Sequence, residues 1–339
     1  MRKILAGMII LIVLAFGTVV LAAEGSSASS LLRGGVLFFM PVGEAVDNPF
    51  ILNAETGIST AAKAFPNIPM ARIYPYSTDH IHEYVKFAAQ RGNNIMVGIG
   101  AYYAAAFEKI ADIFPDKHFI VIEGQSDRPN IKSILFDNYE AGFLAGIAAA
   151  ISTENNRVGF IGAAPVQPVM DFKKGFQDAV KKYNPKAIVN YRYAAVDYSG
   201  FSMVEKGFEL AGQLYGQGCD TLFAAAGATG KGVIDAARTY RKYAIGVDSN
   251  QDGIAKGFVV TSVIKKVDTA IVNLIQSIST GTFTRDDEVY HIGNVGLTLT
   301  DFAFSRNRLG KEKIDRIRDA MFDLKRLHRD SLASEIRGK

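Results

Sequence analysis

Along this chain, short apolar runs alternate with stretches whose apolar residues recur every three or four positions. Gly35 to Val42 (GVLFFMPV) reads as a first buried strand. Pro49 suits the first turn of a helix running to about Ala64, with Asp47 and Asn48 as capping residues. Strands follow at Ala71 to Tyr76, Asn94 to Gly98 and His118 to Glu123. They alternate with helices at His82 to Gln90 and Tyr103 to Ile113. Ile134 to Asp137 is a short extended piece, and Tyr139 to Ile151 a helix rich in small residues. A second series opens with a strand at Val158 to Gly162. Val169, Phe172, Phe176 and Val180 then recur at helical spacing, which predicts a helix over Val166 to Tyr183. Ala187 to Tyr193 is the next strand, and Val204, Phe208, Ala211 and Tyr215 mark the next helix.

From Gly218 to Lys266 the pattern is strand (Thr221 to Ala225), a turn with Gly227, Gly230 and Gly232, helix (Val233 to Tyr240), then strand (Tyr243 to Val247). Phe258 to Ile264 is a strand leading into a helix with Val267, Ile271, Leu274 and Ile278 on one face. Tyr290 to Ile292 and Val295 to Leu299 are short strands, and Ile314, Ile317, Met321 and Leu324 mark a basic terminal helix. Strands and helices alternating at this spacing predict an α/β fold of two doubly wound parallel-sheet lobes. The boundaries expected are a leader at 1–23, a tether at 24–34, and a first lobe of 35–136 plus about 264–285. The second lobe is 137–263 plus about 286–300, and the C-terminal helix occupies 301–339. Such lobes predict a hinged cleft that closes on a ligand.

Composition adds little to this: 48% hydrophobic and 21% charged residues are ordinary for globular domains. A net charge of +4, with no basic block, gives no signal for nucleic acid. One cysteine, Cys219, rules out an intrachain disulfide and a Cys-pair zinc site. At the N-terminus, Arg2 and Lys3 precede an apolar run from Ile4 to Leu21, then Ala22, Ala23 and Glu24. This reads as a secretory signal peptide, with an uncleaved membrane anchor as the alternative. Because no Cys lies near the cleavage region, the expectation is a periplasmic or extracytoplasmic protein that is not a lipoprotein.

Candidate chemistry narrows to binding. His80 and His82 lack a third ligand, and His118, His291 and His328 show no ligand spacing, so no metal is expected. Gly230-Lys231-Gly232 hints at a phosphate loop, but Ala225 stands where the first Gly is needed and Gly232 where Ser or Thr is needed. No G-x-S-x-G motif or reactive Cys context appears. Acid/base work by Asp47 with Asp248 is weighed and set aside; no enzyme activity and no cofactor are expected. In open parallel sheets ligands bind beyond the carboxyl ends of the strands, where Gly227 and Asp248 fall. Phe50 and Phe201 precede helices, one in each expected lobe, and suit stacking on a flat ligand. Asp248 can accept from vicinal hydroxyls, and Lys265 can donate to a ligand oxygen.

The runs VGFIGAAPVQPVMDFKKGFQDAVKKYNP, FSMVEKGFELAGQLYGQGCDTLFAAAGATGKGV, YAIGVDSNQ and TSVIKKVD resemble the basic-membrane-protein family, the PnrA-like substrate-binding proteins of ABC transporters. The resemblance runs from about Gly35 to Leu299. It implies a type I periplasmic-binding-protein fold, a purine nucleoside held between two lobes, and ABC permease subunits as partners. It also implies that Phe50 and Phe201 sandwich the base, that Asp248 binds ribose, and that Asp47 and Lys265 line the site. Asn48, Tyr102, Glu123 and Gly227 complete the expected ligand-binding set. The chain departs from the family at Ile51, where Asn is usual, at Glu123, where Asp is usual, and at Asn250, where a second acid is usual. Ile51 removes an amide where a base edge would be read, so riboflavin is the alternative ligand. An extracytoplasmic ligand sensor and a nucleoside hydrolase are the other classes considered.

Overall fold

A computed structural model describes residues 34–42, 47–75 and 78–337. The chain divides into two compact units. One gathers the first strand with Thr56–Leu135 and Ala270–Glu288; the other gathers the described part of Glu44–Glu55 with Phe136–Thr269 and the chain from Val289 onward.

The first unit carries strands β1 (Val36–Phe39), β2 (Met70–Ile73), β3 (Ile95–Ile99), β4 (His118–Ile122) and β5 (Ile131–Phe136). β11 (Glu288–Tyr290) joins them, in the order β11-β5-β4-β3-β1-β2. β2, β1, β3, β4 and β5 pair in parallel. β1 and β3 are buried along their whole length, as expected for strands covered on both faces by helices. The covering helices are α1 (Pro49–Ala64), which starts in the second unit and ends in the first, α2 (Ile81–Gln90) and α3 (Tyr103–Ala111). Under α3, Phe39, Tyr103, Phe107 and Phe119 form a chain of ring contacts with centroids 5.2–6.4 Å apart. Burial raises the Tyr103 phenol well above its usual range, and its hydroxyl donates to the Met40 carbonyl at 2.5 Å.

The second unit repeats the plan. Its helices are α4 (Asn138–Ser152), α5 (Gln167–Tyr183), α6 (Val204–Gly216), α7 (Thr229–Thr239) and α8 (Val267–Ser279), the last running on into the first unit. Its strands are β6 (Arg157–Gly162), β7 (Ile188–Tyr193), β8 (Thr221–Ala225), β9 (Tyr243–Asp248), β10 (Val259–Lys265) and β12 (Leu297–Leu299). Their order is β12-β10-β9-β8-β6-β7, parallel throughout except that β12 runs antiparallel to β10. Short α9 (Arg306–Leu309) and long α10 (Lys311–Arg337) follow. The expected doubly wound fold is therefore present twice. In each sheet the first strand has the second on one side and the third on the other, so chain direction across the sheet reverses beside β1 and beside β6. Loops at the carboxyl ends of such a sheet separate there and leave room for a ligand.

The segment Gly227 to Gly232 differs from the expected turn. Helix α7 already begins at Thr229, so Gly230 and Gly232 are helical; of the three glycines only Gly227, at φ 56°, has left-handed backbone. Gly232 is a packing residue, since a Cβ there would lie 1.9 Å from the Val204 carbonyl oxygen on α6. The same device joins α4 to α5, where a Cβ on Gly175 would lie 1.9 Å from the Tyr139 carbonyl oxygen.

A helical Gly→Ala change ordinarily stabilises by about 0.5–1 kcal/mol. At Gly175 the sign should reverse: Gly175→Ala is expected to lower unfolding free energy by about 1–3 kcal/mol through overpacking. Gly216→Ala, where nothing lies within 4 Å of the added methyl, should not destabilise. Urea unfolding of the two variants checks the contrast.

Candidate functional site

Seven of the nine sequence-predicted residues fall in the second unit: Asp47, Asn48, Phe50, Phe201, Gly227, Asp248 and Lys265. Phe50 was expected in the first lobe; by contact it belongs with Phe201 in the second unit. Tyr102 and Glu123 belong to the first unit. There the Tyr102 hydroxyl accepts from the Val42 amide at 2.8 Å, and Glu123 follows the end of β4 with φ 72°.

At the start of α1 the side chain of Asn48 accepts from the Phe50 amide at 3.1 Å and the Ile51 amide at 3.4 Å. Pro49 needs no such partner, having no N–H. This cap fixes the angle at which Phe50 leaves the helix. Ile51 is buried, 3% exposed, and packs as an apolar residue. Asp47 precedes the cap with φ 64°, and its carboxylate accepts from the Lys231 ammonium at 2.5 Å; this bond raises the Lys231 pKa.

Asn53, three residues after Phe50 and so on the same face of α1, ties the helix to the sheet. Its amide donates to the carbonyls of Asp248 at 3.2 Å and Lys265 at 2.6 Å, the last residues of β9 and β10. Its oxygen accepts from the Asp268 amide at 3.2 Å. Asp248 is buried with φ 67°, a backbone state that Asp adopts more readily than most residues. The turn after it is closed by Gln251, whose side chain accepts from the Val247 amide at 2.9 Å. The Gln251 amide donates to Ser262 Oγ at 3.0 Å, and Ser262 donates to Asp252 at 2.6 Å.

Lys265 is buried, 3% exposed. Its ammonium donates to Asn138 Oδ1 at 2.9 Å and lies 5.7 Å from the ring centre of Phe50, 5.1 Å from Phe136 and 5.3 Å from Phe172. Ring faces attract a cation, more strongly where water is excluded, so three rings and an amide hold this charge inside the fold. The Phe201 loop is anchored separately. Thr229 Oγ1 donates to the Gly200 carbonyl at 2.6 Å and accepts from the Met203 amide at 2.7 Å. Phe201 stacks on Tyr198 with centroids 6.1 Å apart. A Cβ on Gly227 would meet Asn48 Nδ2 at 2.9 Å and Phe201 Cδ1 at 3.2 Å, so Gly227 is what lets the α1 cap and the Phe201 loop approach.

The second unit thus gathers a carboxylate, an ammonium and two half-buried rings at the carboxyl ends of parallel strands. Sequence reading missed Asn53, Lys231, Asn138, Phe136, Phe172 and Gln251. Asn53 carries a signal in its helical spacing from Phe50, and Lys231 and Gln251 stand in the Gly-Lys-Gly and YAIGVDSNQ runs already singled out; the others depend on tertiary contacts.

Comparison with known proteins places this architecture. A family model described as ABC transporter substrate-binding protein PnrA-like matches residues 36–296. A relative in Listeria monocytogenes, named CD4+ T-cell-stimulating antigen, is 32% identical over 213 residues, which are 58% of each chain. One in Lactococcus lactis, named ABC transporter nucleoside-binding protein BmpA, is 30% identical over 62% of this chain and 65% of its own. The matched stretches thus span less than two thirds of these relatives. A solved solute-binding protein of an ABC transporter system from Aeropyrum pernix superposes with a TM-score of 0.73 at 21% identity, covering 88% of this chain and 91% of that one, which shows the fold.

One expectation is overturned. The exported protein free of a lipid anchor does not stand, because a relative in Pyrococcus abyssi, 25% identical over 77% of this chain and 67% of its own, is named an uncharacterised lipoprotein. That expectation rested on residues 1–24, which lie outside the described residues, as does the anchor alternative. Among the described residues no helix is long and apolar enough to cross a membrane. With the family model matching residues 36–296 and the doubly wound fold present twice, the chain belongs to the PnrA-like ABC transporter substrate-binding proteins, the Bmp family.

Proposed function

We propose that this chain captures a purine nucleoside-like ligand and presents it to the permease subunits of an ABC importer. The observation that carries the reading is the pairing, in one unit, of the buried Asp248 carboxylate with half-buried Phe50 and Phe201. A carboxylate accepts two hydrogen bonds from vicinal hydroxyls, as a ribose offers, and aromatic faces suit a flat base. The Lactococcus lactis relative named as nucleoside-binding supports the same class. Asn48, Gly227 and Lys265 support the reading as neighbours that fix Phe50, Phe201 and the strand ends. Tyr102 and Glu123 are the candidates that the first unit contributes. Hydrolysis is the weaker reading, because Asp47, the second acid it would need, is engaged by Lys231.

Calorimetric titration of purified protein with inosine, guanosine, adenosine and riboflavin tests the ligand class. Saturable binding of a purine nucleoside is expected, with a rise in melting temperature, since a ligand that binds only the folded state must raise apparent stability. Riboflavin binding without nucleoside binding would move the reading to a flavin. Asp248→Ala should lose a charge-assisted hydrogen bond of about 1.5–3 kcal/mol and weaken nucleoside binding more than tenfold, with an unchanged circular dichroism spectrum. Asn53→Ala should lower the stability of the unligated protein by about 1–3 kcal/mol, because two carbonyls and an amide lose their partner. Urea unfolding without ligand measures it.

A further inference from the structure

Away from the ligand cluster, three chain segments of the second unit bring Glu140, His291 and His328 together. One ligand atom from each lies within 4.8 Å of the others. Glu140 stands in the first turn of α4 and is buried, 6% exposed. Its Oε2 accepts from the Ile292 amide at 2.7 Å, and its Oε1 lies 3.2 Å from His328 Nδ1. His291 directly follows β11, and His328 projects from α10. Their ring centroids are 3.9 Å apart at an interplanar angle of 35°. Gly293 leaves room for both rings: a Cβ there would lie 2.6 Å from His328 Cδ2 and 2.9 Å from His291 Cε1.

We propose that Glu140, His291 and His328 bind one divalent transition-metal ion of the zinc type, which fastens α10 to α4 and to the loop between β11 and β12. Zinc takes imidazole nitrogen and carboxylate oxygen at about 2.0–2.2 Å in a tetrahedron, which sets neighbouring ligand atoms about 3.3–3.5 Å apart. The 3.2 Å between Glu140 Oε1 and His328 Nδ1 already suits that spacing. Two imidazoles and one carboxylate leave a fourth position for water. The Ile292 amide on the other carboxylate oxygen is the kind of outer contact that orients a metal ligand. Burial pushes the Glu140 carboxyl up and the His291 imidazole down, and a dication would offset the cost of an anion there. His291 Nδ1 accepts from the Gly293 amide at 3.0 Å. A neutral imidazole has one free lone pair, so whichever ring nitrogen binds the ion, that contact is exchanged for a coordination bond. His328 lies beyond residue 296, where the family match ends, so the site would belong to this chain and its C-terminal helix rather than to the family fold.

Full-length protein stripped with chelator and equilibrated with Co²⁺, a spectroscopic stand-in for Zn²⁺, tests the site. One Co²⁺ per chain is expected, with the visible absorption of four-coordinate cobalt, displacement by Zn²⁺, and a melting temperature that rises with metal. His328→Ala and His291→Ala should each abolish the stoichiometric ion, whether or not a nucleoside binds. Absence of a stoichiometric ion in the parent protein would overturn the proposal. So would an ion retained by His328→Ala, or a melting temperature lowered by Glu140→Gln but indifferent to metal, which would make the cluster an ion pair only.

Discussion

Two parallel strands that stop side by side leave carbonyls without a next partner, and in the second unit one side chain takes two of them. Asn53 bridges the last residues of β9 and β10, and those residues are Asp248 and Lys265. The clamp joins the strand ends to α1, so the helix that presents Phe50 and the strands that present the charged groups cannot shift independently. Gly227 extends the connection to the Phe201 loop, and Thr229 holds that loop against the start of α7. The groups proposed for polar and for aromatic recognition therefore share one support, the kind of preorganisation that keeps the ordering cost of binding low.

Lys265 illustrates how such a support tolerates charge. An ammonium taken out of water needs donors satisfied and negative potential nearby. Here the faces of Phe50, Phe136 and Phe172 contribute such potential, and the Asn138 oxygen accepts a hydrogen bond from the ammonium. One of the rings proposed to hold the ligand's flat end thus also faces a buried cation. Substituting Lys265 would disturb Phe50 as well as remove a donor.

The fold was legible because strands buried on both faces are largely apolar, and β1 and β3, apolar throughout, show that directly in the sequence. The Gly-rich stretch after β8 was misread because glycine signals a turn and a close helix contact equally well. Gly232 serves the contact, which only the path of α6 reveals. Asp248 and Lys265 were placed near strand ends by pattern alone, and the structure makes them the terminal strand residues. Asn138, Phe136 and Phe172 were invisible as partners of Lys265, since their meeting depends on how α4, α5 and β5 pack. The same limit hid Glu140, His291 and His328, which come from three elements far apart in sequence and show no ligand spacing.

Three acidic residues of the candidate set, Asp47, Glu123 and Asp248, share left-handed backbone, at φ 64°, 72° and 67°. Side-chain chemistry and chain path are therefore selected together at these positions. Replacements that keep the path are Asn and Gly, which lose the charge; those that keep a branched or bulky side chain strain the path. Drift at Asp47 and Asp248 is thereby channelled toward neutral residues, so a related protein that changes ligand by this route would lose an anion before it gained a new contact. Glu123, in the first unit, adopts the same backbone state with a residue less suited to it than Asp.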